Sequence, residues 1–382
     1  MKQKVLALYG NRVFYGHERS NIQVFKTLTE GGTDLHILIN KKGIAPQAKE
    51  ILDKNQISYS QICYPDWADM RKPFTTWKVL KYGRKVIKHN LDFLKVHRQY
   101  KPDFVYIAND FMYINLIPSF LLINTKIIYR IGDAPVLTWK PFNFLWRNYI
   151  VRRTHKFVCI SKYILGKVRE AGRVTTPKDV IIYNFPPIRL PSKEIPFEKK
   201  GLTFSYLGQI FENKGVALFV ESAIEICKKY DHVYFTLAGS LLYANEFSQT
   251  LLEKVENSGY GDRITFLGSI ENIESFFKNT DVLVTPSLKE EPLGNVIVEA
   301  KANRTPSIIF KSGGMPELIN HLEDGFICAA KTCEGLNEAI EYYASKPEFI
   351  AKHGANAYSS IEKLQIEQQS FFTKWNNVFP SK

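Results

Sequence analysis

The stretch Asn184–Lys200 reads NFPPIRLPSKEIPFEKK, with four prolines and no apolar periodicity. Proline fixes φ and donates no backbone hydrogen bond, so the segment reads as an extended linker. On both sides of it, short β-rich runs alternate with helical patterns. The reading of this one segment therefore decides between one large α/β body and two. The chain has 382 residues, and a prior of about 150 residues per domain also points to two.

Upstream, the apolar run Lys4–Tyr9 is a strand entering a loop punctuated by Gly10 and Gly16, then a helix from Asn21 to Thr29. Asp34–Ile39, Phe104–Ile107, Lys126–Tyr129 and Phe157–Ile160 are further strands. Downstream, the strands are Leu202–Leu207, Val233–Ala238, Ile264–Leu267, Val282–Thr285 and Pro306–Phe310, with a helix over Gly215–Tyr230. Such alternation builds a parallel sheet covered by helices on both faces. The expected fold class is α/β with two doubly wound domains, 1–185 and 201–360, joined by a linker at 186–200. A last helix over Ile361–Phe379 ends FFTKWNNVF, and its aromatics need cover from one domain, with a crossing back to the first as one route. Ligands of open sheets sit outside the carboxyl ends of the strands, so the cleft between two such domains is the natural site.

Composition excludes several classes. No run approaches the roughly 20 apolar residues of a membrane span; Phe111–Asn124 is the richest and contains Pro118. Val5–Tyr9 is too short for the h-region of at least ~7 residues of a secretory signal. The five cysteines form no CxxC pair and read as free thiols in a reducing compartment. The eight histidines are scattered and no D-x-D occurs, so no metal site is expected. Neither GxGxxG nor GxxxxGK[ST] is present.

Two segments carry chemistry. In YLGQIFENKGV (Tyr206–Val216), Gly208 ends a strand while Lys214 and Gly215 open a helix. Amides at a helix N-terminus favour an anion, and the lysine adds a full charge. An ordinary turn with a solvated lysine is the bland alternative. In KEEPLGNVIVEA (Lys289–Ala300), Pro292 suits a first helical turn. A helix from Leu293 would offer the amides of Leu293, Gly294 and Asn295 to a ligand. Glu291 would stand at its mouth, and Glu299 two turns in on the face of Asn295. Singly, each glutamate reads as a cap or a solvated residue.

Taken together, EPLGNVIVE resembles the E-x7-E segment of the family-4 (group 1) retaining glycosyltransferases, enzymes of GT-B fold that use nucleotide sugars. VLVTPS before it, GGMPELI (Gly313–Ile319), DGFI (Asp324–Ile327), TLAGS (Thr236–Ser240) and ITFLGSI (Ile264–Ile270) follow the same order. The likeness is strong over about 202–328 and weaker upstream, in GHER (Gly16–Arg19), KPDFVYI, FVCIS and IIYN. It implies two Rossmann-like domains facing each other across a cleft, the first on the acceptor side and the second binding the nucleotide sugar. Glu299 would hold the ribose and Glu291 the transferred sugar. Lys214 and the amides of Leu293, Gly294, Asn295 and Val296 would hold the diphosphate, with Gly208, Gln209 and Gly239 beside them. Ser269 and Ile270 would border the base. Gly16, His17, Arg19, Asp110 and Asp133 would form the acceptor side, with Glu291, Lys214 and Asp133 nearest the reaction. No cofactor or metal is implied beyond the donor itself. Two departures stand out: Gln209 where the family usually has Arg, and Gly132–Asp133 where it often has His.

Net charge is +13, unevenly spread. Residues 1–184 hold 31 Lys and Arg against 13 Asp and Glu, leaving 20 against 25 for the remainder. The excess lies in Asp66–Arg98 and Trp139–Arg153, mixed with Trp, Phe and Tyr. An anionic membrane surface, nucleic acid, or a solvated basic face would each fit. The membrane is preferred over nucleic acid, because such transferases often serve lipid-linked acceptors. The expectation is a hexosyltransferase of cell-surface polysaccharide or glycolipid synthesis, cytoplasmic and peripheral on the inner face of the membrane. A GT-B isomerase or phosphorylase, or a basic binding module with a vestigial nucleotide site, are the alternatives.

Overall fold

The computed structural model describes residues 2–12, 14, 16–66, 75–174, 176–185, 199–239 and 246–379. Most of the proposed linker, 186–198, lies outside them, as do Trp67–Phe74 of the basic segment and Ser240 of TLAGS. The chain divides into two compact units, Met1–Tyr183 with Gln368–Lys382, and Asn184–Glu367.

The first unit is a parallel sheet of β1 (Lys4–Tyr9), β2 (Asp34–Asn40), β3 (Ser58–Ile62), β4 (Phe104–Ile107), β5 (Lys126–Ile131), β6 (Thr154–Cys159) and β7 (Val180–Ile181). Their order is β3-β2-β1-β4-β5-β6-β7. Strands buried on both faces read as continuous apolar runs, and Val5 to Leu8 and Val105 to Ile107 are almost wholly inaccessible. The second unit is a parallel sheet of β8 (Leu202–Leu207), β9 (Val233–Ala238), β10 (Ile264–Gly268), β11 (Val282–Thr285), β12 (Ser307–Ile309) and β13 (Gly325–Ile327). Its order is β10-β9-β8-β11-β12-β13. Phe204 and Phe235 of the sheet centre its core with Phe219 of the helix Val216–Lys229. In each sheet the strand order reverses once, between β1 and β4 and between β8 and β11, and such a switch point opens a crevice for ligands.

The segment read as one helix from Ile361 is two. Helix Glu348–Leu364 stops at Gln365, which is left-handed at φ 54°, and helix Gln368–Val378 follows. The second belongs to the first unit. Trp375 is fully buried there with its ring 5.9 Å from Tyr106, Phe379 packs on Phe104, and Lys156 Nζ donates to the Val378 carbonyl at 3.1 Å.

The helix expected to start near Leu293 starts at Asn295 and runs to Ala302. Gly294, at φ 95°, turns the chain before helical geometry begins, so Pro292 does not occupy the first turn. The N-terminal amides are those of Asn295, Val296 and Ile297, the last already bonded to the Gly294 carbonyl. In the first unit, the helix expected from Asn21 spans Gly16–Glu30, so GHER forms its first turn rather than a loop.

Candidate functional site

In the second unit, glycines bring the strand ends close together. Gly208 N–H bonds the Ala238 carbonyl at 2.9 Å, and Gly239 N–H bonds the Gly268 carbonyl at 2.8 Å. A Cβ on Gly239 would lie 2.0 Å from the Gly208 carbonyl oxygen. Across the switch point, the loops after β8 and β11 are tied directly. The Asn213 carbonyl accepts the amides of Leu288 and Lys289 at 3.1 and 3.0 Å. Gly215, at φ 71°, sits against Pro286, whose carbonyl oxygen a Cβ would approach to 1.9 Å.

This frame places Lys214 Nζ 2.6 Å from Glu291 Oε1. Ser287 Oγ donates to the same oxygen at 2.7 Å. Both partners are partly buried, so the pair is a charge-assisted bond at the carboxyl end of the sheet. Glu291 is also fixed through its backbone: its carbonyl accepts Gly314 N–H at 2.7 Å, and Gly313 packs flat on it. Burial, helped by the Glu291 charge, pushes the Tyr206 hydroxyl up; it donates to the Gln209 carbonyl at 2.7 Å. The Gln209 residue itself is exposed.

The neighbouring Glu290 takes a different part. It is exposed, pairs with Lys331 at 2.9 Å and accepts the Gly313 amide, which anchors the loop after β12. Along the helix Asn295–Ala302, Val296 and Glu299 are partly buried, while Leu293 before it is buried. Asn295 Oδ1 accepts from Asn184 Nδ2 at 2.8 Å, a partner that sequence reasoning did not name. Ser269 is exposed and Ile270 partly buried, immediately beyond Gly268 at φ 67°.

The first unit gathers a second set at its own switch point. His17 and Arg19 lie in the first turn of Gly16–Glu30, after β1. Burial and then the Arg130 cation lower the His17 pKa to about 4, against the opposing Glu18 charge and a bond to the Ala108 backbone. The imidazole is therefore neutral at pH 7, and its bond to Ala108 selects the tautomer. Gly132 leaves room for it: a Cβ there would stand 2.9 Å from His17 Nδ1. Asp110 opens the helix Asp110–Asn115 after β4 and accepts the Tyr129 hydroxyl. Burial, with the nearby Asp133 charge, pushes its pKa up to about 7. Asp133 is exposed, as are Gly16 and Arg19, whose guanidinium lies 5.7 Å from the Phe14 ring centre.

Two buried charged residues here, Glu18 and Arg130, were not singled out from the sequence. Glu18 is 6% exposed and accepts Asn11 Nδ2 at 2.6 Å. Arg130, 2% exposed, donates to Asn21 Oδ1 at 3.3 Å, and the Tyr106 hydroxyl reaches the same oxygen at 2.7 Å. For Arg130 a signal was available: a charged residue closing the apolar strand IIYR has no packing reason to be there. Among the described residues no cluster of His, Cys, Asp and Glu could hold a metal ion, and all five cysteines are free.

Known proteins resemble the chain in sequence and in fold. Residues 189–360 match the family described as Glycosyl transferases group 1. A lipopolysaccharide core biosynthesis mannosyltransferase of Rhizobium leguminosarum is 32% identical over 175 residues, 45% of this chain and 49% of that one. Its counterpart from Rhizobium meliloti is 26% identical over 240 residues, 59% and 66% of the two chains. The match thus spans about half the length of the first of these curated relatives. Among solved structures, a glycosyltransferase from Rickettsia africae superposes with a TM-score of 0.80 at 17% identity, covering 100% of both chains. Anabaena HepE in complex with UDP and glucose gives 0.75 at 17% identity, covering 98% and 97%. These likenesses show the α/β GT-B fold over the whole chain, and within it residues 189–360 match the group 1 glycosyltransferase family.

Proposed function

We propose that the protein is a retaining hexosyltransferase that moves a sugar from a nucleotide diphosphate sugar to an acceptor hydroxyl. One observation carries the reading: Lys214 and Glu291 meet at 2.6 Å across the switch point of the second sheet, beside the N-terminus of the helix that bears Glu299. A cation, oriented amides and two carboxylates at one strand end suit a ligand with a diphosphate and several hydroxyls. Lys214 leaves Glu291 for the diphosphate, and Glu291 turns to the hydroxyls of the sugar. Glu299 accepts from the vicinal ribose hydroxyls, as one carboxylate can. Ser269 and Ile270 border the base.

In the reaction, the bond from the anomeric carbon to the diphosphate oxygen breaks as the acceptor oxygen bonds on the same face. The departing phosphate takes the acceptor proton. Negative charge grows on the leaving group, so Lys214 and the amides at Asn295 and Val296 supply the main stabilisation. The charge of the diphosphate is met by these groups without a metal ion. In the first unit, neutral His17 and Asp110 hold neighbouring hydroxyls of the acceptor, which leaves the single proton of the reacting hydroxyl for the phosphate. The relatives named for lipopolysaccharide core synthesis support an acceptor in cell-surface polysaccharide or glycolipid. Among the described residues no helix is long and apolar enough to cross a membrane. The basic first half favours peripheral placement on the anionic inner face.

The test is a screen of the full chain against UDP-, GDP-, ADP- and dTDP-sugars. A bound donor at 100 times its dissociation constant adds about 2.7 kcal/mol of stability, and the stabilising donor should be consumed when an acceptor is supplied. A chain that none of these donors stabilises, and that turns none of them over, is not this enzyme.

A further inference from the structure

The helix Thr76–Tyr100 has two working sides. Its inner side holds His89, Asn90 and Phe93, all buried. Asn90 bonds Ser119 Oγ at 2.6 Å and the Asn115 carbonyl at 2.8 Å, which fixes the helix to the unit. The outer side repeats at three and four residues through Trp77, Leu80, Arg84, Ile87 and Leu91. At 100° per residue these fall within about 80° of arc. Trp77, Leu80, Ile87 and Leu91 are 66%, 57%, 62% and 62% exposed. Single exposed apolar residues are ordinary, but four large ones in line are not.

The charge around this line is one-sided. The helix holds seven Lys and Arg and one acidic residue, Asp92. Lys81, Lys88 and Lys95 are exposed and lie along the same edge of the stripe. Leu121 and Leu122, 68% and 72% exposed, follow the short helix Ile117–Phe120 that Asn90 holds against this one. The middle of the Thr76–Tyr100 helix meets the carboxyl end of the first sheet, where His89 Nδ1 bonds the Cys63 carbonyl just past β3, and its N-terminal half continues beyond that end. On that half the Tyr82 hydroxyl bonds Asn115, in the helix that begins with Asp110.

We propose that this outer face is the surface through which the protein docks on an anionic lipid bilayer. Trp77, Leu80, Ile87 and Leu91 enter the interface, while Lys81, Arg84, Lys88 and Lys95 meet the phosphates. This rests on the anionic-surface reading above and not on the transfer reaction. An apolar line flanked by lysines is the pattern of a helix lying in the interfacial plane. A second copy of the chain would set the same excess of positive charge against itself. A nucleic acid would engage aromatic faces for stacking, and this stripe is mainly aliphatic. Docked so, the end of the sheet that carries His17 and Asp110 lies beside the interface, where a lipid-linked acceptor would be presented.

The experiment is flotation of the full chain with vesicles of phosphatidylcholine alone or with about one-third phosphatidylglycerol, at low and high salt. Flotation with the anionic vesicles only, weakened by salt, is expected. Trp77→Ser with Leu80→Ser and Ile87→Ser should lower the partition constant at least tenfold, and Lys81→Ala with Lys88→Ala roughly thirtyfold. Both variants should keep the wild-type Tm and the rate on a soluble acceptor. Absence of flotation at low salt, equal flotation of wild type and variants, or loss of a wild-type dimer in the apolar variant without lipid binding would each overturn the proposal. So would tighter binding to a single-stranded oligonucleotide than to anionic vesicles. A chain that floats but turns over no donor would leave this face intact and remove the transfer reading instead.

Discussion

The two units share an architecture, yet they handle charge at their strand ends in opposite ways. The second, with 20 basic and 25 acidic residues in the chain beyond 184, pairs its charges: Lys214 with Glu291, Glu290 with Lys331. The first, with its large basic excess, buries charged and titratable groups and moves their protonation instead. His17 is lowered to about 4 and Asp110 raised to about 7. Paired charges are ready for a charged ligand that can replace the partner. Buried groups whose charged forms are disfavoured by burial suit an uncharged hydroxyl that must be oriented. On the proposed reading, the same fold would thus serve a diphosphate at one strand end and an alcohol at the other.

The sharpest way to break this contrast is to remove a charge from each end of the second site. Lys214→Ala and Glu299→Ala should each lower kcat/KM for transfer by roughly 10²–10³, with unchanged Tm. The cost should appear at limiting donor and not at limiting acceptor. Near-normal turnover in both variants would show that the paired charges are structural and that the donor binds elsewhere.

A change to the frame tests whether close backbone approach positions the pair. In Gly215→Ala the new methyl would meet the Pro286 carbonyl oxygen at 1.9 Å, and the residue holds φ 71°. Strain of this kind, with the displacement of a packed loop, should cost about 3 kcal/mol of stability. Thermal unfolding reads the cost. The variant should also lose donor binding, because the Asn213 bonds to Leu288 and Lys289 hold the same loop. Wild-type Tm and donor affinity would mean that the loop yields freely and that Lys214 is not held by it.

How far each region was legible in the sequence follows the same contrast. The strands of both sheets could be read because buried parallel strands are continuous apolar runs. The exceptions, β3 (SYSQI), two-residue β7 and three-residue β13, are polar or short. The second site was legible because its charges sit in two local segments beside glycines. Pro292 misled on the helix start, since the left-handed Gly294 resets the chain after it. The first site was harder. Glu18, Asn21 and Gln23 are buried polar residues on one helix, and hydrophobic periodicity cannot register a face that is inward and polar. That is why the helix read as starting at Asn21 rather than Gly16. Arg130 escaped because its hydrogen-bond partner Asn21 is 109 residues away on another element, although a charge closing the strand was itself a signal.

Titration distinguishes the first unit more gently. The lowered His17 contributes stability that is present above its unfolded pKa of about 6.5 and is lost as pH falls through about 4. From pH 6.5 to 5 the loss is about 1.5 kcal/mol. The raised Asp110 has the opposite sign: its contribution is complete below about 3.8 and is lost as pH rises through about 7. Unfolding followed between pH 4 and 7 should show a shallower acid limb in His17→Gln and a shallower neutral limb in Asp110→Asn. Parallel curves for wild type and both variants would mean that neither group is buried as described.

The smallest expected effect probes the fit between Gly132 and His17. In Gly132→Ala a methyl would stand 2.9 Å from His17 Nδ1 and 3.3 Å from its Cε1. The ring, held by its bond to the Ala108 backbone, must then shift by a few tenths of an ångström or turn. If His17 orients the acceptor, the acceptor KM should rise roughly tenfold while the donor KM stays unchanged. His17→Gln should do the same, and the double variant should be no worse than either, because residues acting through one contact are non-additive. A rise in donor KM, or full additivity of the two changes, would erase the division of labour between the units. It would also restore Gly132 to an ordinary strand-end glycine. The observed outcome therefore decides whether a position where the family often has His has been left empty, or has been filled by a histidine from the helix that follows the first strand.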